Sequence, residues 1–139
     1  MRLYLFLNLL VFCSISWGHS ITLKTGAFKE TKGELKIAIH KSQETYLSKK
    51  KKAYKLLEIK VKSAQETTVF DLEPGEYAIT LFHDVNSNNK LDKNLLGIPT
   101  EPIGFSNNKK IVFGPPNYKK SSFFVENDLV LKIKLKNIL

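Results

Sequence analysis

The chain has 139 residues, with 22 lysines and arginines against 13 aspartates and glutamates, for a formal net charge of +9. Arg2 is its only arginine, Cys13 its only cysteine and Trp17 its only tryptophan, so everything beyond residue 17 lacks thiolate chemistry, disulfides and cysteine zinc sites. A cation set made only of lysine also lacks the planar fork that nucleic-acid readers exploit, which excludes nucleic acid as the expected partner; it suits a solvated face, or a weak contact with an anionic surface.

The first elements read as a targeting segment. Arg2 supplies a positive start, Leu3 to Ile15 is apolar apart from Asn8 and Ser14, and Ser16-Trp17-Gly18 puts small residues at the −3 and −1 positions of a cleavage site. The spacing predicts a signal peptide over residues 1–18, cut after Gly18, with a cut after Ser20 as the alternative. A lipid anchor at Cys13 is disfavoured by bulky Phe12, and a buried N-terminal strand is the competing reading. The apolar run is shorter than the roughly 20 residues that span a bilayer, and no later stretch resembles a transmembrane span. One domain over residues 19–139, exported to a periplasmic or extracellular space, is the expectation.

From residue 21 onward, alternation with a period of two dominates. Ile21, Leu23 and Thr25 alternate with polar neighbours, as do Leu35, Ile37 and Ile39, then Leu57, Ile59 and Val61, and near the end Leu129, Leu131, Ile133 and Leu135. That period predicts half-buried antiparallel strands. Thr31-Lys32-Gly33 separates the first two, and Glu73-Pro74-Gly75 predicts a tight turn closing a hairpin between Thr67–Leu72 and Glu76–His83. Asn127-Asp128 leads from Ser121–Glu126 into the last strand. About seven strands spaced in this way predict an all-β, antiparallel two-sheet sandwich of the transthyretin or immunoglobulin kind. Two stretches interrupt the pattern. Ser42–Tyr54, with its run Lys49–Lys52, reads as a solvated loop of one or two helical turns pinned by Tyr46, Leu47 and Tyr54. The other runs from Asp84 to about Pro116, and a loop of that length in a small domain is either functional or held by something.

Within the second stretch, Asp84, Asn86, Asn88 and Asp92 place side-chain oxygens at positions 1, 3, 5 and 9, and the carbonyl of Lys90 falls at position 7. Calcium takes six to eight hard oxygen ligands, and this spacing is that of an EF-hand-type loop. Glu101 is the expected distant carboxylate, and Leu91 is expected to tuck inward. The departures are Asn89 where glycine is favoured and Leu95 in place of a bidentate glutamate. An Asx-rich turn, its side chains bonded to their own backbone, fits the same residues. His83 shares a strand face with Tyr77, Ile79 and Leu81 and reads as a core residue, and His40 reads as lying on a polar face. No Ser/His/Asp arrangement or phosphate-binding glycine loop is legible.

The stretch Leu72-Glu73-Pro74-Gly75-Glu76-Tyr77-Ala78, then His83-Asp84-Val85-Asn86-Ser87-Asn88, Leu91-Asp92, Gly97-Ile98-Pro99-Thr100-Glu101 and Gly104-Phe105-Ser106-Asn107 resembles the DUF2141 family of exported bacterial proteins. The resemblance covers nearly all of the chain beyond the leader, and implies a secreted β-sandwich with its signature on His83, Asp84, Asn86, Asn88, Asp92, Gly97, Pro99, Glu101, Gly104, Phe105 and Ser106. It implies no activity. The leading expectation is a non-enzymatic binding or accessory module, its loop shaped by calcium and presenting Ile103, Phe105 and Tyr118 to a protein, peptide or glycan. The alternatives are an enzyme using His83 with Asp92 or Glu101, and a lysine-rich protein attached to an envelope or glycan.

Overall fold

The structure, a computed structural model, describes residues 18–138. The expected leader lies outside the described residues except for Gly18, and Cys13 and Trp17 lie outside with it. Eight strands follow: β1 (His19–Gly26), β2 (Glu34–His40), β3 (Lys55–Lys60), β4 (Gln65–Leu72), β5 (Gly75–Asp84), β6 (Ile103–Phe105), β7 (Phe123–Val125) and β8 (Leu129–Lys134). They form two sheets, one ordered β4-β1-β8 and the other β3-β2-β5-β6, with β7 pairing the start of β5. The helical content is a 3₁₀ turn at Ser106–Asn108 and one short helix, α1 (Tyr118–Ser121). The fold is therefore the all-β sandwich that the alternation predicts, and no helix among the described residues is long and apolar enough to cross a membrane.

The alternation sets the core. Ile21 and Leu23 from β1, Phe70 and Leu72 from β4 and Ile133 from β8 meet Leu35, Ile37 and Ile39 from β2 and Tyr77, Ile79 and Leu81 from β5. Burial of such side chains is worth on the order of 1.5–3 kcal/mol each. At Gly104 of β6 the second sheet is tightly apposed to β8 of the first. A Cβ there would lie 2.8 Å from Leu81 Cδ1, 3.0 Å from Ile133 Cγ2 and 3.2 Å from the Lys134 carbonyl.

Three expectations are corrected. The turn Glu73-Pro74-Gly75 closes no hairpin: Leu72 pairs with His19 across β1, whereas β5 pairs with β2 and β7. Proline and glycine fix a sharp bend but not the partners of the strands on either side, and here the bend carries the chain from one sheet to the other. The sandwich is also not wholly antiparallel, because β1 and β8 run parallel, with Ile21 opposite Leu129 and Thr25 opposite Ile133. Residues 42–54 form turns without a helix. Tyr46 is buried and Tyr54, though 46% exposed, packs its ring 5.7 Å from that of buried Tyr77, so both pin the loop as expected, whereas Leu47 is 46% exposed.

The five-stranded sheet is covered on its outer face as well. Tyr46, Ala78, Ile103, Phe105 and Tyr118 form a second buried cluster, with Phe82, Leu91, Ile111 and Ile138 packed against it. His40 is consequently buried rather than on a polar face. Its ring meets Tyr46 edge-on at 5.3 Å between centroids, and its Nε2 lies 3.1 Å from Thr80 Oγ1.

Burial disfavours the charged imidazole and lowers the pKa of His40 from 6.5. The unfolded chain binds that proton more readily, so this contribution to stability is complete above pH 6.5 and is lost as the pH falls below it. Chemical denaturation between about pH 7 and pH 5.5 should show stability declining in the wild type and declining less in His40→Gln. Equal slopes would remove His40 as the cause.

Candidate functional site

The long segment leaves β5 at Asp84, whose side chain points away from the inter-sheet core and is fully buried. The start of the segment is pressed against Gly33, which adopts φ 72° in the bend before β2; a Cβ there would come within 2.2 Å of the Asp84 carbonyl oxygen. The Asp84 carboxylate accepts the backbone N–H of Asn88 at 3.0 Å through one oxygen and that of Asn89 at 2.8 Å through the other. This curls the chain over its own carboxylate, with Ser87 and Asn89 in left-handed conformations at φ 56° and 62°. Asparagine tolerates that region better than other side chains with a Cβ, as expected for Asn89.

Glu101, also buried, supports the segment from its far end. Its two oxygens accept the N–H groups of Val85 at 3.0 Å and Asp92 at 3.1 Å. The remaining polar groups close on one another. Asn86 Oδ1 accepts from Asn88 N, Asn88 Oδ1 accepts from Lys90 N, and the amide nitrogens of both asparagines donate to the Asp92 carboxylate at 2.7–3.0 Å. Lys36, largely buried on the outer face of β2, donates to Asn89 Oδ1 at 2.5 Å and pairs with Glu34 at 2.6 Å and Glu58 at 3.2 Å. Its pKa is raised, chiefly by the bond to Glu34, so it stays charged and ties the loop to the sheet.

These residues thus come together as the spacing implies, but as an Asx-rich turn. A calcium site would need the oxygens of Asn86 and Asn88 directed to the ion. Here those oxygens hold the backbone and the amide N–H groups face Asp92, so the donor set of Asp84, Asn86, Asn88, Lys90, Asp92 and Glu101 is not assembled in this conformation. Among the described residues no group of three or more histidines and carboxylates is placed to hold a metal. Leu91 does tuck inward, though against the second cluster rather than the main core.

Beyond Asp92 the segment forms a small ribbon that alternation did not reveal. Thr100 N donates to Asp92 O, Asn94 N to Ile98 O and Gly97 N to Asn94 O, each at 2.9 Å, and Lys93 bridges Pro99. Gly97 takes φ 77° at the tip. The Asn94 side chain accepts from Leu96 N and Ile98 N, so Leu95 and Leu96 sit on a turn held from inside. The signature positions Gly97 and Pro99 are explained by this ribbon.

The last signature residues are structural too. Phe105 pairs with Thr80 in the sheet, and buried Ser106 accepts from Ile79 N at 2.9 Å while donating to the Ser121 carbonyl at 2.5 Å. Ile103, Phe105 and Tyr118, expected to face a partner, are all buried; β6 is the edge strand beside β5, in a sheet covered on both faces, and Ile103 bridges Lys136 on its other side, which its three residues gave no pattern to reveal. Within the 84–116 segment the exposed large apolar side chains are instead Leu95, Leu96, Val112 and Phe113.

His83 faces the core as expected. It is 1% exposed, packs edge-on to Phe28 at 5.1 Å, and donates from Nε2 to the Lys32 carbonyl at 2.7 Å. With Asp92 and Glu101 it lines a cleft of about 280 Å³. The cleft brings the three side chains together, with both Glu101 oxygens engaged by backbone N–H groups and Asp92 by the asparagine amides.

Residues 24–132 match a family described as "Uncharacterized protein conserved in bacteria (DUF2141)". No curated protein and no solved structure matches the chain.

Replacing either buried carboxylate by its amide puts an NH₂ group against a backbone N–H that it cannot accept. Asp84→Asn and Glu101→Gln should each lower stability by about 1–3 kcal/mol, read as a drop in melting temperature. Gly33→Ala should cost at least as much, because the contact it creates is with backbone and its φ is left-handed.

Proposed function

The chain belongs to the DUF2141 family, and on that premise we propose that it is an exported, non-enzymatic binding or accessory module whose working surface is the 84–116 segment. The observation that carries this reading is the use made of the polar side chains. Those able to do chemistry, His83, Asp84, Asp92 and Glu101, are bonded to backbone or to the asparagine amides of the loop, while the segment they hold turns large apolar side chains outward. A preorganised surface of this kind binds without first having to be ordered. Export is supported by the leader-like composition of the first residues, and by β1 beginning at His19, next to the expected cut. In hydrogen exchange the amides of Val85, Asn88, Asn89 and Asp92 should be protected nearly as well as those of β5. Exchange at open-loop rates would remove the preorganised surface.

Calcium is a second reading, favoured by one observation. Asp84 and Glu101 are buried carboxylates that brace the two ends of one loop, and neither has an ion-pair partner among the described residues. Their charge is met by backbone N–H groups alone, and a divalent cation would offset the cost of burying it. Binding would require the Asn86 and Asn88 amides to turn their oxygens inward. Melting curves in calcium, magnesium or EDTA decide this. A calcium-specific rise on the order of several degrees, absent in Asp84→Ala, would establish the ion; superimposable curves would leave the self-bonded turn as the whole account.

A further inference from the structure

We propose that the two adjoining loop tips, Leu95-Leu96 and Val112-Phe113, form a face that docks on an anionic phospholipid surface. The inference rests on the reading of the 84–116 segment as the working surface and names its partner. Leu95 and Phe113 are fully exposed, and Leu96 and Val112 are 82% and 71% exposed. The residues directly after the first tip and the second tip itself share a groove of about 640 Å³, lined by Gly97, Ile98 and Pro99 on one side and by Ile111, Val112 and Phe113 on the other.

Their exposure is built in. Asn94 accepts the N–H groups of Leu96 and Ile98, and Gly97 supplies the left-handed corner, so the two leucines are held at the apex of a fixed turn. Ile111 anchors the second tip by packing on the buried outer cluster. Four large apolar side chains at the ends of two anchored loops match a surface that yields to insertion and is apolar just beneath, as the boundary of a bilayer is.

Charge selects the lipid. Lys93 lies beside the first tip in the groove lining, and Lys109-Lys110 directly precedes Ile111. A second groove, lined by Lys49–Lys52, shares Leu47 and Leu91 with the first, which puts the lysine run alongside. Lys51 pairs with Glu44, but Lys49, Lys50, Lys52, Lys93, Lys109 and Lys110 form no ion pair among the described residues. The carboxylates of the same segment are withdrawn: Asp92 is covered by two amides, and Asp84 and Glu101 are buried. Apolar tips flanked by unpaired lysines are complementary to an anionic headgroup layer over acyl chains.

The test is co-sedimentation of the protein with phosphatidylglycerol–phosphatidylethanolamine vesicles and with phosphatidylcholine vesicles, alongside sedimentation of the protein alone. The variants are Leu95→Ser/Leu96→Ser and Phe113→Ser, whose melting curves should match the wild type because the side chains touch solvent. Binding to the anionic vesicles only, weakened several-fold by added salt, and reduced by on the order of tenfold per apolar side chain removed, is the expected result. No binding to anionic vesicles, or binding that the apolar variants leave intact, overturns the lipid inference. If in that case the wild type self-associates and the tip variants do not, the face binds a second copy, and the reading of the segment as a binding surface survives. Should the variants alter neither measurement, that reading falls as well.

Discussion

A chain that leaves a sheet and travels some twenty residues before returning must find acceptors for its N–H groups, and here two buried carboxylates supply them. Asp84, at the end of β5, takes the amides of Asn88 and Asn89; Glu101, just before β6, takes those of Val85 and Asp92. Hydrogen bonds from backbone N–H groups to a carboxylate are stronger than those to a neutral carbonyl, and both ends of this segment are pinned by a pair of them. The ribbon from Asp92 to Thr100, the seating of Leu91 in the outer cluster and the exposure of Leu95 and Leu96 follow from those four bonds. So does the need for Gly33, since nothing larger fits against the backbone where the segment starts.

The eleven residues that the resemblance singles out can be understood in the same terms. Of these, His83, Asp84 and Glu101 bond backbone atoms from buried positions, Gly97 turns a corner, Gly104 lets the sheets close, and Ser106 links β5 to α1. These are requirements of architecture, each needing one particular side chain for a stated geometric reason. A pattern of this kind identifies a fold and its long loop without specifying a reaction, and any reaction or partner must come from the surface that the pattern supports. In this chain that surface is apolar at its tips and basic at its margins.

The outer cluster changes what the lysines and histidines mean. Lys36 and His40 occupy the alternate positions of β2, which in an ordinary half-exposed sheet would face water. Residues 42–54, the loop through Asn89 and Leu91, and residues 111–121 fold across that face instead, so His40 becomes a neutral buried ring and Lys36 a charged strut between Glu34, Glu58 and Asn89. Two faces of one sheet are thus buried for different purposes. The inner face makes the sandwich, and the outer face carries the loops.

Period-two alternation was enough to identify the sandwich, its principal strands and the core position of His83, because inward and outward side chains differ in polarity wherever one face meets water. The spacing of Asp84, Asn86, Asn88 and Asp92, with Glu101 beyond, likewise marked these residues as one constellation, since oxygen side chains at alternate positions of a tight loop must converge. What the oxygens bind was decided by the tertiary structure, because amide orientation depends on which backbone N–H groups lie within reach. The partners of β4 and β5, the parallel register of β8 and the burial of Phe105 were also tertiary decisions. A tight turn, a Leu–Lys alternation or a three-residue strand carries no information about its neighbour, and only the packing of the two sheets and the outer cluster supplies one.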